Sequence, residues 1–151
     1  MKFYDREEQL KSLREMRELS YNGYSRLTVV TGRRRIGKTT LIKEAYKDEP
    51  YVYLFVGRKS ESVLCREFCE EYQVKTGTFV PPMSVFRDVF RFLMEEGKRR
   101  KYTLVFDEFQ NFLEVNPSIY SDIQNWWDKY QKESHVNMVV SGSVYSLMEK
   151  L

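Results

Sequence analysis

Gly32-Arg33-Arg34-Arg35-Ile36-Gly37-Lys38-Thr39 sets two glycines five positions apart, with Lys-Thr directly after the second. Glycine lets a backbone turn tightly and approach a ligand closely. Successive loop N–H groups followed by a helix N-terminus form an anion cradle. At this spacing the lysine ammonium reaches the β- and γ-phosphates of a nucleoside triphosphate, and the threonine hydroxyl ligates magnesium. Lys38 is therefore the expected phosphate grip and Thr39 the expected Mg2+ ligand. Gly32, Arg33, Arg34, Arg35, Ile36, Gly37, Lys38, Thr39 and Thr40 together form the expected cofactor-binding segment. A four-position match also arises by chance; a strand before it and a helix after it are the context that gives it meaning.

Asp107 and Glu108 close the apolar run Leu104-Val105-Phe106. An aspartate at a strand end beside such a loop could hold magnesium directly or through water. The adjoining Glu108 could orient or deprotonate the water that attacks the γ-phosphate. Without the glycine loop the same pair reads as an ordinary acidic turn. Ser141-Gly142-Ser143 follows another apolar run. Ser141 could touch the γ-phosphate or the water as a catalytic sensor, or the trio could be a plain turn with Ser143 as a helix cap.

Arg33–Arg35 could meet phosphate, a neighbouring subunit or only solvent. Lys98–Lys101 could touch nucleic acid, but it reads more simply as a solvated turn before a strand. Cys65 and Cys69 share an apolar helical face and read as core. His135 is the single histidine, too few for a Cys/His metal site. Trp126 and Trp127 read as packing residues, with an interface role open to one of them.

The elements that must position these groups alternate. Asp5 and Glu8 suggest a capping box ahead of a helix carrying Leu10, Leu13, Met16 and Leu19. Arg26–Thr31, with no alternation, is expected to be buried on both faces, as in a central parallel strand. A helix over Thr39–Tyr46 precedes a strand at Tyr51–Val56. One helical stripe runs through Leu64, Cys65, Phe68, Cys69 and Tyr72. A second, with Ser84 as cap and Gly97 as terminator, runs through Val85, Phe86, Val89, Phe90, Leu93 and Met94. Strands at Tyr102–Phe106 and Val136–Ser141 flank a helix started by Asn116-Pro117 and lined by Ile119, Ile123, Trp127 and Tyr130. Ser143–Leu151 reads as the first turns of another helix. Alternating strands and helices predict an α/β fold, a parallel sheet covered on both faces. Its ligands bind at the carboxyl ends of the strands, where the loop, Asp107 and Ser141 all fall.

The 151 residues fit one domain, 42% apolar and 31% charged, as globular chains are. A formal charge of +3 gives nucleic acid weak support and argues for no membrane surface. The start has no leader-like apolar segment, no run spans a bilayer, and two cysteines make no disulfide framework. The expectation is a cytoplasmic protein.

GRRRIGKTTLI at Gly32–Ile42, LVFDEFQNF at Leu104–Phe112 and VVSGSVYSLM at Val139–Met148 resemble the archaeal-type ATPases of the STAND/AAA-like P-loop NTPases, as does FYDREEQLKSL at Phe3–Leu13. The resemblance covers nearly the whole chain. It implies a three-layer core with sheet order 5-1-4-3-2, Mg2+ and ATP as ligands, a catalytic glutamate at Glu108 and a sensor at Ser141. The leading expectation is an ATPase domain that uses hydrolysis as a conformational switch, since the residues for positioning and charge neutralisation are here, with a homo-oligomer or protein partner open. Family members usually continue into a fifth strand and further regions. Residues 1–151 are therefore expected to be an ATPase domain cut before that strand, weak or inactive alone. The competing expectations are a nucleotide-binding module without turnover and, with little support from the charge, a nucleic-acid-associated regulator. No N-K-x-D element for guanine occurs, so ATP is expected over GTP.

Overall fold

The computed structural model describes residues 3–31 and 35–142. Four strands, β1 (Arg26–Thr31), β2 (Val52–Phe55), β3 (Lys101–Asp107) and β4 (His135–Gly142), pair in parallel in the order β1-β4-β3-β2. This is the expected order 5-1-4-3-2 over the four strands that are described. Among the described residues α1 (Phe3–Asn22) precedes β1, and α2 (Arg35–Ala45), α3 (Glu61–Thr76), α4 (Phe86–Arg99), α5 (Phe112–Val115) and α6 (Ile119–Tyr130) lie between the strands. Among the described residues no helix is long and apolar enough to cross a membrane.

Alternate residues of a strand point to opposite faces, and the core divides accordingly. Leu104, Phe106, Met138 and Val140 join α3, α4 and α6 in one aromatic-rich cluster, where Phe68, Phe86, Phe106 and Phe112 meet mostly edge to face. Val105 and Val139 face the other way, against Leu13 of α1 and Leu41, Ile42 and Ala45 of α2. The helix that follows the glycine loop thus packs on the same face as Val105.

Several expectations need correction. β1 is an edge strand of the described sheet, paired only with β4 there, and Val29 is 40% exposed. The expected order puts a fifth strand on its other side, outside the described residues. α1 starts two residues before Asp5, so Asp5 is not its cap. Its buried face carries Arg17 and Ser20, while Leu19 is 48% exposed. The reason is polar docking. Arg17 pairs both nitrogens with Asp48 at 2.8 and 3.0 Å, and Arg14 donates to the Ala45 and Glu44 carbonyls at the end of α2.

Ser84 does not cap α4, which follows Val85. The Phe86 N–H donates instead to Glu61 Oε2 at 2.8 Å, and Glu61 Oε1 accepts from Asn116 Nδ2. Gly97 does not end α4 either; it lies inside, buried against β4, where an added Cβ would stand 2.3 Å from Val136 Cγ2. Asn116-Pro117 precedes α6 by a turn rather than starting it: Asn116 Oδ1 accepts from the backbone N–H and the hydroxyl of Ser118. The expected helix from Ser143 lies outside the described residues.

Candidate functional site

β1 ends at Thr31 and α2 begins at Arg35, so the described ends of the glycine segment stand at the carboxyl edge of the sheet. Gly32, Arg33 and Arg34, and the side chains of Arg35 and Ile36, lie outside the described residues. The end of the loop is described. Lys38 is 4% exposed, and Thr39 and Thr40 stand in the first turns of α2.

Thr103, Val105 and Asp107 alternate along the α2 face of β3, as Asn137, Val139 and Ser141 do along β4. Phe106 is in register with Val140, which makes Asp107 and Ser141, each one residue further, neighbours across the two strands. Ser141 Oγ donates to Asp107 Oδ1 at 2.9 Å, with both residues fully buried. From the opposite side Thr39 Oγ1 donates to Asp107 Oδ2 at 3.3 Å. The expected metal ligands Thr39 and Asp107, from α2 and β3, therefore meet in space.

A third hydroxyl reaches the same carboxylate. Tyr53 of β2 is in register with Val105, on the α2 face, and its phenol donates to Asp107 Oδ2. Its ring packs partly buried against the α1/α2 cluster. Sequence reasoning missed it. The signal was the alternation of Tyr51, Tyr53 and Phe55 along an otherwise apolar strand, which puts a hydroxyl one strand away from Asp107.

Glu108 has φ 57°, the only non-glycine residue in left-handed backbone among those described. Such a conformation costs on the order of 1–3 kcal/mol and recurs at functional sites. It is held in place: the Glu108 N–H donates to Asp107 Oδ1 at 2.9 Å, and Phe109 and Phe112 beyond it are fully buried. A short 3-10 turn at Phe109–Asn111 and α5, neither expected, follow from this sharp exit. Asn111 Nδ2 ties the turn to the Val56 carbonyl at 2.8 Å. Gln110 Nε2 donates to Glu108 Oε2 at 2.6 Å, a second contact that the sequence did not reveal. Glu108 is thereby fixed beside Asp107, at the end of the sheet where the loop lies.

The remaining candidates stand apart. Cys65 and Cys69 are buried and free, and burial pushes the Cys65 thiol up to about 12 and the Cys69 thiol upward, which suits packing rather than reactivity. The Lys98–Lys101 run lies at the end of α4 and the start of β3, away from the carboxyl edge. Arg99 pairs there with Glu96, and Arg100 donates to Thr78 Oγ1 at 2.7 Å. Trp126 packs partly buried with Arg91 and Lys129 near its ring.

The profile of a family described as an ATPase domain predominantly from Archaea matches residues 3–151. An uncharacterized protein of Methanocaldococcus jannaschii is 27% identical over 146 residues, 97% of this chain and 30% of that protein. Among solved structures, Cdc6p from Pyrobaculum aerophilum superposes with a TM-score of 0.65 at 20% identity, over 97% of this chain and 41% of that one. A Walker-type ATPase of Pyrococcus abyssi gives 0.59 at 19% identity, over 87% of this chain and 44% of that one. At these identities the two structures speak for the fold. The chain spans less than half of the length of each of these relatives. With the family profile matched from Phe3 to the last residue, this chain belongs to the ATPase domain family found predominantly in Archaea.

Proposed function

We propose that this chain is the ATP- and magnesium-binding domain of an ATPase that uses hydrolysis as a conformational switch. One observation carries the reading: Thr39, directly after the loop lysine, and Asp107, at the end of a strand far away in sequence, meet at 3.3 Å. A chance glycine motif would not bring these two oxygens together.

The residues divide the work. Gly32–Thr39 cradles the triphosphate, with Thr40 continuing the helix N-terminus. Lys38 grips the β- and γ-phosphates. Thr39 and Asp107 offer hydroxyl and carboxylate oxygens, the hard donors that magnesium takes. When bound, the cation supplies neutralisation of developing phosphate charge. Glu108 orients or deprotonates the attacking water. Ser141 acts through Asp107, since its hydroxyl donates to that carboxylate rather than standing free for the γ-phosphate. The fold supports ATP as the nucleotide: Aeropyrum pernix ORC2, similar in fold at 19% identity, was solved as ADPNP-ADP complexes. For the whole protein the proposal leaves open a second copy of the chain or another protein as partner, with nucleic acid weakly supported by the charge.

Single-turnover hydrolysis with the intact chain and with Glu108→Gln tests the reading. Glu108→Gln should bind magnesium-ATP as the parent does and lose turnover by roughly 10²–10⁴-fold, the usual contribution of general base catalysis. Equal rates would contradict the role of Glu108. No turnover in either, with binding intact, would favour a nucleotide-binding module.

A further inference from the structure

Asp107 is fully buried, and four described donors converge on its carboxylate. Oδ1 accepts from Ser141 Oγ and the Glu108 N–H, both at 2.9 Å. Oδ2 accepts from Thr39 Oγ1 and Tyr53 OH. An ionised carboxylate has about four lone-pair sites, so these donors alone are enough to fill it. For Asp107 to serve a hydrated magnesium ion as well, one donor must give way.

The four are not equally replaceable. The Glu108 N–H is fixed by its turn, and Ser141 is fixed by the β3–β4 register. Thr39 can donate its proton to Asp107 and still offer its oxygen lone pairs to a cation. Tyr53 alone approaches from the outer strand β2, as a half-buried side chain at the sheet margin. Its phenol is a neutral donor, whereas a cation beside the same carboxylate adds a full charge–charge attraction, which is large at short range in a buried site.

We propose that Tyr53 is a positioning residue that holds the Asp107 Oδ2 lone pair while the protein is metal-free and yields it to the hydrated cation when magnesium-ATP binds. The proposal rests on the reading of Asp107 as the magnesium-side carboxylate. A carboxylate buried without water is costly unless hydrogen-bonded. Tyr53 lowers that cost in the empty site and in doing so competes with the cation, which weakens its apparent affinity.

The test is the magnesium dependence of ATP binding, followed by titration calorimetry at fixed ATP and increasing Mg2+. Tyr53→Phe should bind ATP in excess chelator as the parent does. Its half-saturating Mg2+ concentration should fall by roughly tenfold, the equivalent of one hydrogen bond to a charged group. An unchanged or higher half-saturation overturns the proposal; a higher one would mean that Tyr53 assists the metal. A variant in which Tyr53 only packs would not change the Mg2+ dependence. Asp107→Asn separates the two levels. If it leaves the Mg2+ dependence intact, the reading of Asp107 fails and the proposal with it. If it removes the dependence while Tyr53→Phe changes nothing, only the proposal fails. Should Tyr53→Phe not fold, 3-fluorotyrosine placed at position 53 gives a second readout. Its fluorine resonance should move on adding Mg2+ to the ATP-loaded chain, and an unmoved resonance overturns the proposal.

Discussion

The hydroxyl of Ser141 donates to Asp107 Oδ1 across 2.9 Å, joining the ends of β4 and β3 where both residues are fully buried. With its proton on that carboxylate, the role we propose for Ser141 runs through Asp107 rather than through direct contact with the γ-phosphate. Ser141→Ala should therefore weaken magnesium-ATP and magnesium-ADP binding by similar factors. It should also lower the unfolding free energy by about 1.5–3 kcal/mol, the range for a hydrogen bond to a charged group. Competition binding with both nucleotides checks it; a loss confined to ATP would restore the sensor role.

Gly97 is expected to tolerate no side chain. Alanine is the better helix former by about 1 kcal/mol, but its Cβ would stand 2.3 Å from Val136 Cγ2 and 3.3 Å from Ser134 Cβ. Overpacking of this kind costs roughly 1–3 kcal/mol, so Gly97→Ala should be destabilising in denaturant titration. Val136→Ala in the same chain should recover part of the loss, giving a coupling energy of the sign expected for neighbours. Additive effects would mean that the helix moves away instead.

The Arg17–Asp48 pair makes a pH prediction. The hydrogen bond from Arg17, with a smaller charge contribution, holds the Asp48 carboxyl below its ordinary value. A depressed carboxylate pKa adds stability above the unfolded-state value, and that stability is lost as pH falls through the folded-state value. The melting temperature of the parent should exceed that of Asp48→Asn at neutral pH, and the gap should close as pH drops below the normal aspartate range. The Asp48 side chain is well exposed, so the gap should be small and should shrink in high salt. A gap that widens in acid would contradict the pairing.

That Thr39, Asp107 and Ser141 would be gathered at one place was legible because strand ends and loop spacing fix them locally, and so was the order of the four described strands through resemblance. The stripe from Leu64 to Tyr72 was legible too: each of its five residues is buried. What escaped depends on partners distant in sequence. Tyr53 matters through Asp107, across the β2–β3 register. Arg17 takes a buried place that helical periodicity gave to Leu19, because Asp48 waits for it. Glu61 caps a helix that starts well beyond its own, and Gly97 looked like a terminator until the position of Val136 was known. The turn after Glu108 escaped because its strained backbone is set by the buried Phe109 and Phe112 rather than by glycine or proline.

The central claim is that Lys38 and its loop hold magnesium-ATP beside Asp107. The most direct measurement is the shift in melting temperature on adding saturating magnesium-ATP to the parent chain, Lys38→Ala and Asp107→Asn. A ligand bound only by the folded state stabilises it by about 2.7 kcal/mol at a hundred times its Kd. The parent should show a clear upward shift that exceeds the one with GTP. Lys38→Ala should lose nearly all of it, and Asp107→Asn should lose the part that depends on magnesium. An undiminished shift in Lys38→Ala would place the nucleotide elsewhere and contradict the account.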